Sequence, residues 1–222
     1  MSRPVRSSFS ERADGDLRID GDPGALRDRR RAIASGEWTW LRQVHGATVV
    51  TVAEPGQHAG AEADAAVTAV PGAVLAVHTA DCAPVLLASA DGSVVGAAHA
   101  GWRGVVAGVL ERTVEEMVRL GGTGLRARVG PHIRARCYEF GTDELDRVAA
   151  RCGDAVRSTT GWGTPALDVT AAVRTSLAAL DVELTDAGGC TACEPDRLWS
   201  HRARGDRARM AATIAIVGGD AA

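Results

Sequence analysis

Residues 73–106, AVLAVHTADCAPVLLASADGSVVGAAHAGWRGVV, decide how the chain folds. Three apolar runs, at 73–80, 83–90 and 93–100, are rich in Val and Ala and are separated by an Asp-Cys-Ala-Pro break and by Asp91-Gly92. Short apolar runs bounded by turn residues read as buried strands, and Asp-Gly between two of them signals a hairpin. After Gly101 the period becomes helical. Val105, Val106, Val109, Leu110, Val114 and Met117 fall on one face, Glu111, Arg112, Glu115 and Glu116 lie off it, and Gly121-Gly122 stops the run.

Outward from this stretch, ATVVTV at 47–52 and DAAVTAV at 64–70 are further strands. Downstream the pattern predicts a strand over about 127–133, helices near 142–151 and 168–180, and a closing strand at 212–217. The first 36 residues are polar, with one helix expected over about 23–34 between Pro23 and Gly36; its Arg27–Arg31 run reads as a solvated face. A consecutive block of strands with helices outside it predicts an α+β fold, a mixed β-sheet sandwich covered by helices, in a single domain over residues 1–222.

Composition narrows the function. With 45% apolar and 24% charged residues, the chain is neither disordered, collagen-like nor a coiled coil, and 222 residues bury a core without staples. A net charge of −3 gives no general attraction to nucleic acid or anionic membrane. All 25 basic residues are Arg, so no Lys can serve as Schiff base or general base. Five Cys, an odd and sparse set, argue against a disulfide framework. The N-terminus carries Arg without an apolar run, and nothing approaches the ~20 apolar residues of a membrane span. The expectation is a soluble cytoplasmic protein with reduced thiols, a monomer or weak homo-oligomer, acting on a small molecule.

His45 (RQVHG), His78 and Cys82 (AVHTADCAP) and His99 (HAGWRG) stand at strand ends, where a sheet presents polar groups while its interior stays apolar. Singly, a Cys is usually a small buried hydrophobe and a His a hydrogen-bonded core or surface residue. Together, His45, Cys82 and His99 are each flanked by Gly, Asp or Pro at ends of strands that can converge on one site.

The order RQVHG, TADCAPVLL, HAGWRG, VGPHIRARCYEFG and a late CT…WSHRARGDRARMA resembles the laccase-domain family over about residues 38–217. This family is also called multicopper polyphenol oxidoreductase-like and overlaps with the peptidoglycan editing factor. The N-terminal 1–36 region diverges, with SSFSERADGDLRI where the family has a Gly-Gly-Val-Ser turn and a Ser-Leu-Asn-Leu segment. The resemblance implies a sandwich of sheet and helices and one metal held by His45, Cys82 and His99. It also implies action on purine nucleosides: phosphorolysis of adenosine and inosine, a group transfer, and deamination of adenosine, a hydrolysis. Two imidazoles and a thiolate with an open fourth position match catalytic zinc, and zinc can bring a bound water's pKa to about 7. Copper competes for a His2Cys set. However, none of the three Met lies in a Cys-His-Met loop, and the chain has no His-x-His pair for a trinuclear copper cluster.

Other residues carry paired readings. Asp81 orients a ligand His or moves protons, or else caps a turn. Arg103, at the expected helix N-terminus, suits phosphate or is an exposed first-turn Arg. Gly101 permits the turn, and Trp102 reads as core. By family position Arg42 and Gln43 reach a substrate base, Tyr138 and Glu139 line the pocket, and Arg202 and Arg209 bind anions; His201 stands where relatives carry an aromatic. His132 and Cys137 read as local structure and Cys152 as structural. Cys190-x-x-Cys193, in an expected loop, is weak evidence for zinc, with a reversible disulfide as the alternative. Three functions follow: a zinc purine nucleoside enzyme with small-molecule substrates, a Cys-nucleophile hydrolase of peptidoglycan precursors, and a non-catalytic metal-binding partner module. The family label adds polyphenol oxidation.

Overall fold

Apolar residues alternate along the strands of the computed structural model, which describes residues 2–218, and the alternation sorts the chain into layers. The strands are β1 (Val5–Phe9), β2 (Trp38–Trp40), β3 (Val49–Val52), β4 (Ala65–Thr68), β5 (Val74–Thr79), β6 (Ala83–Ala88), β7 (Val95–Ala100), β8 (Arg126–Val129), β9 (Arg157–Thr159), β10 (Pro165–Leu167), β11 (Glu183–Asp186) and β12 (Met210–Ile216). The helices are α1 (Pro23–Ile33), α2 (Trp102–Val106), α3 (Val109–Arg119), α4 (Thr142–Cys152), α5 (Val169–Ala178) and α6 (His201–Arg204).

A four-stranded mixed sheet, in the order β1-β12-β5-β2, lies against a six-stranded mixed sheet, β11-β8-β6-β7-β4-β3. Leu75 and Val77 of β5, Leu86 of β6, Val95 and Ala97 of β7 and Ile214 of β12 share the core between the sheets. The intervening residues turn outward. Val74 and Ala76 pack with Leu26 of α1, while Val85, Leu87 and Ala98 join Val105, Leu110, Val114, Met117, Leu145 and Val173 on the side of α2 to α5. Every residue of β5 and β7 is therefore buried, as a strand covered on both faces requires. This is the mixed sheet sandwich covered by helices that the strand block predicts.

Two local expectations are corrected and one holds. The helix after Gly101 is two helices, because Gly108 adopts φ +87° and breaks the backbone after Ala107; Val105, Val109, Leu110 and Met117 still face the sheet. The hairpin signalled by Asp91-Gly92 is present: β6 and β7 pair antiparallel across the 89–94 connection, where the Asp91 carboxylate accepts hydrogen bonds from Ser89 Oγ and from Ser93 N and Oγ. The strand expected over 127–133 spans Arg126–Val129, ahead of Pro131, which has no N–H for a ladder. Within the divergent N-terminus, VRSSF forms β1 and pairs antiparallel with β12.

Candidate active site

One strand and two loops bring the three residues together. His99 lies near the end of β7, Cys82 immediately precedes β6, and His45 sits in the loop between β2 and β3. Their ligand atoms all lie within 4.8 Å of one another. His45 Nε2 is 3.8 Å from Cys82 Sγ, and the two imidazoles are 4.9 Å apart, edge to face.

Asp64, just ahead of β4, builds this arrangement. Its carboxylate lies 2.8 Å from His99 Nδ1 and accepts the backbone N–H groups of Val44, His45 and Gly46 at 3.2, 2.9 and 2.7 Å. His45 itself has a positive φ of 60°, a conformation uncommon for a residue with a side chain, and the three N–H bonds to Asp64 fix it. Burial opposes the charge on Asp64, yet the bonds from His99, Gly46 and Val44 hold its carboxyl below the usual range. Sequence reasoning missed Asp64, because one acid before an apolar run carries no local signal.

The electrostatics bind Cys82 to His99. Burial alone would raise the Cys82 thiol, but the charge of His99 and hydrogen bonds from His45 and His99 bring it down to about 6. Burial alone would lower His99, but the Cys82 thiolate and Asp64 raise it to about 9. The donor set fits a metal ion. Asp64 takes the Nδ1–H of His99 and leaves Nε2 free, the usual orientation of a metal-ligating imidazole. Gly101 keeps the space clear, since a Cβ there would meet His45 Cδ2 at 2.8 Å and Cys82 Sγ at 3.2 Å.

The triad lies in the wall of a 1020 Å³ cavity that also exposes His78, Tyr138 and six arginines: Arg18, Arg42, Arg103, Arg202, Arg207 and Arg209. Asp20 and Asp81 are its acidic residues, so the wall favours an anionic ligand.

A family model described as multi-copper polyphenol oxidoreductase laccase matches residues 16–217. The chain belongs to this family. Among curated relatives, a Streptomyces griseus protein named purine nucleoside phosphorylase ORF3 is 41% identical over 217 residues, 90% of this chain and 87% of the relative. A Deinococcus radiodurans protein named purine nucleoside phosphorylase is 40% identical over 96% of this chain and 89% of its own length. Among solved structures, a Neisseria meningitidis protein superposes with a TM-score of 0.85 at 31% identity, over 98% of this chain and 99% of the other.

Of the other expected site residues of this laccase-family chain, Arg42, Gln43, Asp81, Arg103, Tyr138 and Arg202 border the same cavity as the triad. Gln43 donates from Nε2 to the His78 carbonyl at 2.8 Å and accepts from the His78 N–H at 2.7 Å, so its amide is spent on the β5 backbone. Arg42 lines the cavity and forms a parallel bridge to Glu62. Arg103 is exposed, with its guanidinium 4.5 Å from the Trp102 ring centroid. The long helix expected behind it is the five-residue α2, so Arg103 contributes its guanidinium and not a helix dipole. Trp102 packs partly into the core, edge to face with Phe140. The Arg202 guanidinium lies 5.1 Å from the Tyr138 ring, and burial raises the Tyr138 phenol to about 12.

Asp81 does not orient His99; Asp64 does. The Asp81 carboxylate accepts the hydroxyls of Thr191 and Ser200 and the N–H of Arg202, each at 2.6 Å, and so ties the 191–202 segment to the loop of Cys82. Arg209 donates to the carbonyls of Asp206, Arg207 and Ala208, while Glu139 faces a second cavity of 640 Å³. His132 is structural, bonded to the Gly130 carbonyl and Thr170 hydroxyl. Cys152 packs in the core. His78 stands out beyond its sequence context: among the described residues neither of its buried ring nitrogens has a hydrogen-bond partner, and the side chain borders the cavity. Burial, then Arg30, His99 and Arg209, push it down to about 3, so it is neutral. No helix among the described residues is long and apolar enough to cross a membrane.

Proposed function

We propose that the chain is a zinc-dependent purine nucleoside enzyme, cleaving adenosine and inosine with phosphate and deaminating adenosine with water. The observation that carries this is the His45–Cys82–His99 set opening into an arginine-lined cavity. The relatives named purine nucleoside phosphorylase support the substrate class. Zinc is favoured over blue copper because, among the described residues, no Met lines the cavity to serve as the usual axial ligand. Neither of the two candidate metal groups among the described residues, each of three side chains, offers the ligands of a multicopper cluster.

Held by His45, Cys82 and His99, a zinc ion would supply Lewis acidity at the cavity wall. The chain's own residues do the rest. Asp64 fixes the His99 tautomer and the His45 loop, so the donor atoms are set before the ligand arrives. In phosphorolysis a phosphate oxygen bonds to ribose C1′ as the C1′–N9 bond breaks and the purine takes up a proton. Without Lys, guanidinium groups hold that phosphate, and Arg103, Arg42 and Arg202 border the cavity. In deamination water adds at purine C6 and ammonia leaves. Neutral His78 offers an N–H and a lone pair to the purine edge.

Chromatography of adenosine incubated with protein of known zinc content, with and without phosphate, tests the proposal. Adenine appearing only with phosphate, and inosine in both conditions, is expected. Adenosine left unchanged by zinc-loaded protein would refute it.

A specific observation favours a second function. Cys82 at about 6 and His99 at about 9 form a thiolate–imidazolium pair in metal-free protein, the arrangement of a Cys-nucleophile hydrolase. Activity that survives metal removal and is lost on alkylating Cys82 would select it.

A further inference from the structure

The C-x-x-C element is not alone. Cys137 and Cys193, 56 residues apart in sequence, place their sulfurs 3.2 Å from each other. With Cys190 they form a group whose sulfurs all lie within 4.8 Å. All three thiols are free. They stand apart from the first site, beside the 640 Å³ cavity lined by Cys137, Glu139, Trp162 and Ala192.

The loop is built around Cys190. Its carbonyl accepts the N–H groups of Cys193 and Glu194 at 3.1 Å, closing a tight turn, and its own N–H donates to Glu194 Oε1 at 2.9 Å. Two glycines let the loop approach this closely. A Cβ at Gly188 would lie 2.2 Å from the Gly130 carbonyl carbon, and one at Gly189 would fall on the Glu194 carboxylate that holds Cys190. The chain thus accepts tight packing to bring Cys190 beside Cys137.

If ionised together, three sulfurs this close would repel one another, and a cation among them would remove that repulsion. We propose that Cys137, Cys190 and Cys193 form a second, sulfur-only site for one thiophilic d10 metal ion, Zn2+ or Cu+. Thiolate sets select these ions, and three sulfurs either complete a trigonal Cu+ site or leave a fourth position of Zn2+ to solvent. The site clamps the 134–137 segment to the 189–193 loop. That loop carries Thr191, whose hydroxyl bonds Asp81 beside Cys82, so the second metal stiffens one wall of the first cavity. This inference does not depend on the nucleoside chemistry.

The test uses the full chain carrying Cys82→Ala, which removes the thiolate of the first site. Reduced, metal-stripped protein is titrated anaerobically with Co2+, which reports thiolate ligation by near-ultraviolet charge transfer, and separately with Zn2+ and Cu+. One equivalent bound with the charge-transfer band, and loss of that band in Cys82→Ala/Cys193→Ser, is expected; the competition shows which of Zn2+ and Cu+ prevails. Because a double variant can misfold, thiol-alkylation mapping is run on the unsubstituted chain. Cys137, Cys190 and Cys193 should be protected by metal and released by chelator. Equal alkylation with and without metal would overturn the site. So would a Cys137–Cys193 disulfide in acid-quenched cells together with a metal-free Cys82→Ala protein, which would assign the pair to redox chemistry.

Discussion

The Asp64 carboxylate stands 2.8 Å from His99 Nδ1 and, through the backbone N–H groups of His45 and Gly46, also holds the loop that carries the second imidazole. One buried acid therefore positions two of the three donor side chains. Asp64→Asn keeps the shape but removes the charge and replaces one acceptor oxygen with a donor. Zinc affinity should fall roughly 10–100-fold, read by chelator competition, with the circular dichroism spectrum unchanged. Unaltered affinity would show that His99 does not need this partner.

Gly101 tests the space between the donors. In Gly101→Ala the new methyl would sit 2.8 Å from His45 Cδ2 and 3.2 Å from Cys82 Sγ, so His45 must move. Zinc retention at the first site and adenosine turnover should fall together while the fold persists. Normal turnover in this variant would place the reacting groups elsewhere.

Arg103→Gln separates the two reactions. Phosphorolysis needs a cation beside the anion, whereas deamination uses water. The phosphate requirement for inosine cleavage should rise by roughly tenfold, the loss expected for a charge-assisted hydrogen bond, with adenosine deamination changing much less. Ionic strength is held fixed, because salt screens an exposed guanidinium. Unchanged phosphate saturation would pass the role to Arg202 or Arg42.

Acid should destabilise the fold through two buried imidazoles. Burial, with Arg134 adding repulsion, pushes His132 down to about 4, and His78 is held at about 3, against about 6.5 in an unfolded chain. The unfolded state then binds protons that the folded state refuses, so stability is full above pH 6.5 and is lost as pH falls toward 4 and 3. His132 alone contributes on the order of 3 kcal/mol to that loss. Urea unfolding from pH 7 to pH 4 should show the decline, and His132→Gln should make it shallower. An unchanged slope in His132→Gln would mean that the imidazole titrates freely in the folded protein.

The legible parts of the sequence were those with local periodicity. β5, β6 and β7 are Val- and Ala-rich runs buried on both faces, and the residues at their ends proved to converge. Gly108 gave no warning of its break, because one Gly inside a helical period is usually tolerated. β1 was hidden because VRSSF gains its strand character from pairing with β12 and not from apolar alternation. Asp64 and the unpartnered His78 take their roles from tertiary placement. Cys137 reads as local structure until the fold sets it beside Cys193.

On the proposed function, nucleoside chemistry depends on a metal held by the His45–Cys82–His99 group. The most direct measurement is adenosine turnover in chelator-stripped protein as zinc is returned, alongside Cys82→Ala, each with bound metal counted. Turnover that is absent in stripped protein, rises with zinc and stays absent in Cys82→Ala, even where that variant retains metal at the three-cysteine site, is the expected result. Full turnover in stripped protein, or in Cys82→Ala, would contradict it.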